Sequence, residues 1–254
     1  LKRMEKESPN HYKQYVLNSW EDLEDADILI PLYLIEESLT KQYFAEGSKI
    51  LSVDVARFGD DNTVFQILQK ANMGWKQVYL FGFNGQDTVK TTGHIIDLRK
   101  SFHPDFIVVD DDGVGGGVVD NLRNVGVERL WAFHANAEAI QPEQFYRKRD
   151  ECYWLLKSLF ERGQIQIIDN DKLTTQLSSI KFKYRTGGQK KIWSKDEMRA
   201  EGLKSPDYAD ALMMAMLVLP QAEVYNESPS HAYVPQKPRY MPQTWKRRRY
   251  AHAV

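Results

Sequence analysis

An α/β fold is what this sequence predicts, on three observations. The apolar runs Ile50-Leu51-Ser52-Val53 and Phe106-Ile107-Val108-Val109 each read as a buried strand, and each runs directly into an aspartate, Asp54 and Asp110. Segments with helical spacing of apolar residues lie between and after them. Gly187-Gly188 separates two short strand-like runs, a strong hairpin signal.

The elements follow in order. Residues 1–47 are a polar, acidic lead-in, with the apolar stretch Ile28–Ile35 as a docking segment. A strand over Ile50–Val55 is followed by strands at Val64–Leu68 and Trp75–Phe83, joined by the turn Ala71-Asn72-Met73-Gly74. Thr88–Lys100 has helical spacing through Val89, Ile95, Ile96 and Leu98, and Pro104 marks its exit. After the strand Phe106–Asp110, the glycine-rich turn Gly113–Gly117 opens a helix to about Arg123, and a short strand follows at Arg129–Phe133. Arg147–Arg162 is a long amphipathic helix with Gly163 as its C-terminal cap, and Ile165–Ile168 is another strand. Lys181–Tyr184 and Lys191–Trp193 flank the Gly-Gly turn. Ser205-Pro206 starts a last helix that runs to about Leu219, Ser as cap and Pro at the first helical position. The Pro- and Arg-rich remainder, 221–254, has no apolar period and reads as a flexible basic tail.

Bulk charge names no partner, because 34 Lys and Arg nearly balance 35 Asp and Glu. Its distribution is more informative. Residues 1–48 carry five basic and ten acidic side chains. Residues 181–195 carry six basic side chains (Lys181, Lys183, Arg185, Lys190, Lys191 and Lys195) and no acid, so this block can hold a polyanion such as DNA. The equally plain reading is a solvated edge protected from aggregation by lysine. The single cysteine, Cys152, excludes an internal disulfide and a Cys-rich zinc site. The longest apolar stretch, Ala209–Leu219, contains Asp210 and is too short to span a bilayer, so no membrane association is expected and an intracellular protein is the default. The chain does not begin with Met, which suggests an excised domain or a processed chain.

No G-x-x-x-x-G-K-[ST], G-x-S-x-G or zinc-spaced histidine pattern occurs, and the run Gly115-Gly116-Gly117 does not fit G-x-G-x-x-G. What remains is aspartate. If the two acid-ended strands are parallel neighbours, Asp54 and Asp110 emerge at one sheet edge, and the last helix can bring Asp207 or Asp210 to them. Two such charges about 4 Å apart repel by roughly 4 kcal/mol at an effective dielectric near 20. A divalent cation removes that penalty, and oxygen-only ligands favour Mg²⁺ or Mn²⁺. Two such ions can clamp a phosphodiester. Taken singly, each aspartate is also an ordinary turn residue, and Asp110-Asp111-Asp112-Gly113 also reads as a solvated turn. The two late aspartates differ. Asp207 sits in the first turn of its helix, where the dipole favours it. Asp210 lies in line with Met213, Met214 and Leu217 on the apolar face, so it needs a partner, and a metal shared with Asp54 and Asp110 is the one expected.

Three acidic blocks in order carry a resemblance. Ser52-Val53-Asp54-Val55-Ala56-Arg57-Phe58-Gly59-Asp60-Asp61, Val108-Val109-Asp110-Asp111-Asp112-Gly113-Val114-Gly115-Gly116-Gly117 and Lys204-Ser205-Pro206-Asp207-Tyr208-Ala209-Asp210-Ala211-Leu212 are similar to the nuclease domain of tailed-phage terminase large subunits. Lys148–Trp154 resembles that family's long helix, Lys181–Met198 its basic hairpin, and Tyr15–Trp20 with Leu29-Ile30-Pro31 its linker.

The resemblance implies an RNase H-like fold: a five-stranded mixed sheet, its first three strands antiparallel, flanked by helices, with an added basic β-hairpin. It implies a linker at 1–47, a nuclease domain at 48–220 and a tail at 221–254. The implied activity is cleavage of concatemeric double-stranded viral DNA during genome packaging, with two Mg²⁺ or Mn²⁺ ions. The family's metal-binding acids would fall on Asp54, Asp110 and the Asp207/Asp210 pair, which the resemblance leaves tied. By its place on the apolar face Asp210 is the catalytic member expected beside Asp54 and Asp110, with Asp207 as a further metal ligand. Implied partners are double-stranded DNA, an ATPase domain of the same full-length chain, a small terminase subunit and a capsid portal, in the host cytoplasm. Holliday-junction resolvases share a similar final Asp-x-x-Asp helix and are the neighbouring alternative. A catalytically silent DNA-binding or assembly module is the other.

Overall fold

The computed structural model describes residues 27–56, 61–84 and 87–227. Its centre is a six-stranded mixed sheet ordered β5-β4-β1-β2-β3-β6. The strands are β1 (Ala45–Asp54), β2 (Thr63–Ala71), β3 (Gly74–Phe83), β4 (Phe106–Asp110), β5 (Leu130–Phe133) and β6 (Ile165–Gln166). β1, β2 and β3 form an antiparallel meander, whereas β4 joins β1, and β5 joins β4, in parallel. The resemblance implies five strands; the sixth is the two-residue β6, inside the run Ile165–Ile168 read as a strand from the sequence, and it lies parallel to β3 at the edge. A separate two-stranded hairpin pairs β7 (Phe182–Tyr184) with β8 (Lys190–Ile192). It turns through Gly187 and Gly188 at φ 112° and 85°, values that favour glycine.

The helices are α1 (Leu32–Thr40), α2 (Thr88–Phe102), α3 (Gly115–Asn124), α4 (Lys148–Glu161), α5 (Asp171–Ser178), α6 (Lys195–Ala200), α7 (Asp207–Met214) and α8 (Leu219–Glu227), with a 3₁₀ turn at Ala215–Leu217. None is long and apolar enough to cross a membrane, among the described residues.

Strand alternation sorts the side chains into two cores. Leu51, Val53, Ile107 and Val109 face one side, where they pack with Ile95 and Leu98 of α2 and Val118, Val119 and Leu122 of α3. Ile50, Phe106 and Val108 face the other, with Tyr153 and Leu156 of α4, Leu173 of α5 and Leu212 of α7. The same period of two places Ser52 and Asp54 on the second side, and Asp110 with Val108. Ser52 uses the position for attachment. Its Oγ donates to the Ala211 carbonyl at 2.5 Å, and Gln66 Nε2 donates to the same oxygen at 3.3 Å. Buried polar side chains from two central strands thus pin α7 to the sheet.

Four differences from the sequence-based expectation have physical causes. Leu29, Ile30 and Ile35 are fully buried in the second core, so the apolar part of the lead-in is packed into this domain. α5 was not expected, its apolar face being only Leu173 and Leu177. The last helix starts at Asp207, with Pro206 as a cap lacking a side-chain hydrogen bond, and it breaks at the 3₁₀ turn. Pro220 then lies in the first turn of α8, where its missing N–H is no loss, so it restarts a helix rather than ending the domain. Ala222 is fully buried, so the region expected as tail contributes to the core at its start.

The turn between β4 and α3 is tight. A Cβ on Gly115 would lie 1.8 Å from the Asp110 carbonyl oxygen. Gly115→Ala is therefore expected to push the end of β4 from α3 and destabilise the protein by at least about 1–3 kcal/mol, the usual cost of overpacking. Urea denaturation of the two proteins measures it, and equal midpoints would mean the turn relaxes freely.

Candidate active site

The parallel register pairs Val53 with Val109, so Asp54 and Asp110 leave adjacent strands at the same edge and on the same face. α7 crosses that face and brings Asp210. These three aspartates, with Arg147, Arg149 and Lys195, line one cleft of about 340 Å³. Asp54 is 6% exposed and Asp210 5%.

Each carboxylate is held differently. No hydrogen bond reaches the Asp54 carboxylate among the described residues; burial lifts its pKa well above the usual range, Lys195 opposes the lift, and Asp210, Asp110 and Asp207 add to it. Burial likewise raises Asp110, to about 7, against the backbone N–H of Asp112, which donates to its Oδ1 at 3.2 Å. Asp210 is the exception. Burial disfavours its charge, but Arg149, Lys195 and Tyr153 outweigh that and hold its carboxyl below the usual range. Arg149 donates through Nε and Nη2 to Oδ1, both at 3.2 Å, and the Tyr153 hydroxyl donates to the same oxygen at 2.7 Å. Lys195 Nζ lies 3.6 Å from Oδ2. The partner expected for Asp210 was a metal. The protein itself supplies three.

Asp207 turns elsewhere. It is buried, accepts from the Asn62 backbone N–H at 2.8 Å, and does not line the cleft. Asp111 and Asp112 face His134, whose Nε2 is 3.2 Å from Asp111 Oδ2, and Asp112 also accepts from the Ala135 N–H at 2.9 Å. The acidic turn is therefore organised by hydrogen bonds rather than simply solvated.

Among the six basic residues of the hairpin block, only Lys191 and Lys195 line the cleft. Lys183 and Lys191 are paired with Glu197 at the start of α6, the latter at 3.4 Å, and Lys195 with Asp210. Lys181, Arg185 and Lys190 meet no acid among the described residues. Lys181 and Lys190 lie over aromatic rings, of Trp193 and of Phe145 and Trp154.

Sequence reasoning missed Arg149, Tyr153 and Asp150. Asp150 is 4% exposed and accepts from the backbone N–H groups of Ile192 and Arg147, both at 2.8 Å, so it ties the hairpin to α4. The signal was present. Arg149 and Tyr153 stand four apart, in line with Leu156 and Phe160, so the arginine lies on the apolar face of α4.

The residues suit a hard divalent cation. The donors are oxygen only, Asp54 and Asp110 have no cationic hydrogen-bond partner, and the Lys195 ammonium already stands where these acids demand positive charge. Among the described residues no three acidic, His or Cys side chains are close enough to enclose an ion as they stand. Binding would therefore draw the carboxylates together.

Residues 51–219 match the family model for the terminase RNaseH-like domain. No curated protein sequence matches the chain. Among solved structures, the fold is similar to a mutant large terminase subunit fragment from bacteriophage Sf6 with calcium, at 19% identity and TM-score 0.63 over 74% of this chain and 98% of that one. It is similar to the nuclease domain of the same Sf6 subunit at 20% identity and TM-score 0.59, covering 74% and 97%. The large terminase nuclease of thermophilic phage G20c with bound magnesium gives 15% identity and TM-score 0.54, again covering 74% and 97%.

Two predictions follow from the electrostatics. Arg149→Ala leaves Asp210 buried beside an empty space and is expected to cost about 3–5 kcal/mol, as for one partner removed from a buried pair; denaturation midpoints check it. The second concerns pH in EDTA. Asp110 binds its proton more tightly folded than unfolded, so it favours the fold at low pH, and that contribution is lost between about 4 and about 7. Asp110→Asn should then melt higher than the parent at pH 8, with the gap closing towards pH 4. A gap that stays constant with pH would sink this account.

Proposed function

The chain belongs to the terminase RNaseH-like domain family, and from that premise we propose that it is the metal-dependent endonuclease of a phage DNA-packaging machine. The observation that carries the reading is the placement of Asp54, Asp110 and Asp210 on one cleft, two of them at the ends of adjacent parallel strands. The calcium and magnesium in the two neighbouring structures support a divalent cation here as well. Asp54, Asp110 and the Oδ2 of Asp210, which has Lys195 Nζ as its neighbour at 3.6 Å, are the ligands proposed, for two Mg²⁺ or Mn²⁺ ions, with Asp207 behind them as a weaker contributor. When bound, such ions polarise a phosphodiester and supply a hydroxide-like water at neutral pH.

The remaining work belongs to the chain's own groups. Arg149 and Tyr153 fix Asp210 by one oxygen and leave the other facing the cleft. Lys195 offsets the charge of the acids, and it can follow a phosphate that enters. The substrate proposed is concatemeric double-stranded DNA, held by its backbone along the basic hairpin without sequence preference. The lead-in up to residue 47 would join this domain to an ATPase domain of a longer chain. A small terminase subunit and a capsid portal are the further partners proposed, in the host cytoplasm.

Plasmid nicking tests this directly. The chain is expected to cut supercoiled DNA with Mn²⁺ or Mg²⁺ and not with EDTA, and Asp54→Asn should lower the rate by about a hundredfold or more. Cleavage that survives EDTA would overturn the metal mechanism. Mn²⁺-loaded protein that binds DNA but never cuts it would favour a silent DNA-binding module.

A further inference from the structure

The ring of Tyr146 carries two guanidinium groups. Arg185, at the turn of the hairpin, lies 3.8 Å from the ring centre, and Arg147, at the start of α4, lies 4.5 Å from it. Arg147 Nη2 also donates to the Tyr146 hydroxyl at 3.3 Å. Lys190 stands beside them, over Phe145 at 5.1 Å. Neither arginine, nor Lys190, forms an ion pair with an acid among the described residues. Arg185 spends one N–H on Gln189 Oε1 at 3.3 Å, an exposed and neutral partner.

This arrangement is fixed by backbone. The Tyr146 N–H donates to the Lys190 carbonyl at 3.1 Å, and the Lys190 N–H donates to the Gln144 carbonyl at 2.8 Å. Gln189 Nε2 donates to the Pro142 carbonyl at 2.6 Å. The hairpin is thus clipped to the segment before α4, and that clip brings like charges onto one ring. Like charges gathered without an anion repel, and each aromatic contact returns only part of that cost. A bound anion returns the rest.

Tyr146 and Arg147 also line the cleft that holds the aspartates. The acidic end of that cleft repels a polyanion, so a strand can be held there only if basic groups take the neighbouring phosphates. Arg fits this task, because its planar fork gives two parallel donors to phosphate while its face stays on an aromatic ring. Resting on the nuclease reading, we propose that Arg147, Arg185 and Lys190, mounted on Tyr146 and Phe145, form the site that grips the phosphodiester backbone of the DNA strand beside the phosphate being cut. The glutamate-paired Lys183 and Lys191 contribute less, because Glu197 offsets one of their two charges.

The test is the salt dependence of binding, measured by fluorescence anisotropy in EDTA with labelled duplexes of about twenty base pairs and two unrelated sequences. Arg147→Gln and Arg185→Gln should each weaken binding roughly fivefold or more and reduce the slope of log K against log salt by about 0.9, alike for both sequences. Lys100→Gln, which removes one exposed charge from α2 away from the cleft, should change the slope little. Tyr146→Leu keeps both charges and loses their support, so it should weaken binding with the slope nearly unchanged. Melting curves confirm that each variant is folded. If the parent binds both duplexes, and cuts plasmid with Mn²⁺, while the two arginine variants keep its slope, the proposed grip is wrong and the nuclease reading stands. A parent that neither binds nor cuts DNA overturns both.

Discussion

The contact between Arg149 and Asp210 is what lets the rest of the site exist. Three aspartates end up in one cleft, and in a partly desolvated place each raises the cost of ionising the others. Arg149 relieves one of them by two donors on a single oxygen, with the Tyr153 hydroxyl on the same atom. Both ends of that pair are well buried, at 13% and 7% side-chain exposure. In such surroundings a single charge would be very costly, so the pair locks α4 to α7 as well as fixing the carboxylate. Arg149 Nη1 also donates to the Trp193 carbonyl at 3.1 Å, which extends the tie to the segment after β8. One guanidinium therefore connects the helix layer, the last aspartate and the hairpin.

What Arg149 leaves unsettled is the charge of Asp54 and Asp110. Burial raises both, and neither has a cationic donor of its own. The fold accepts this because stability is supplied elsewhere, in two cores on either face of the sheet. On the reading proposed above, the free energy lost by crowding these acids is returned when a cation arrives. Lys195 is a partial answer built into the chain. Its position at the start of α6 follows from the Ser194 capping box, in which Ser194 and Glu197 satisfy each other's backbone N–H groups.

The hairpin shows how composition and geometry divide a function between them. Six basic side chains in fifteen residues suggested a uniform polyanion surface, yet they are not equivalent. Glu197 takes two of them and Asp210 a third, leaving Lys181, Arg185 and Lys190 for other partners. The acids that take them come from α6 and α7, beyond the block itself. Conversely, Arg147 joins the basic surface from thirty-eight positions before Arg185, through the backbone clip of β8 to residues 144–146.

The sequence alone determined the strands, the acids that end them and the glycine turns, because these are local matters. Strand pattern has a period of two, a Gly-Gly turn needs only its own φ angles, and an aspartate closing a mostly apolar run of four is visible in a window of five. It also placed Asp210 on the apolar face of its helix by spacing. Which strands are neighbours was open, and the parallel register of Val53 with Val109 turned two separate acids into a pair. The sequence could not tell that the partner of Asp210 is Arg149, sixty-one residues earlier. Spacing puts both residues on the apolar faces of their helices, but which face packs on which is decided by the opposing surface, outside any local window. Nor could it tell that Pro220 restarts a helix, since a proline's effect depends on where its helix begins. Long-range pairing of charges is decided by packing, and only the tertiary structure supplies the neighbours that make a buried charge affordable.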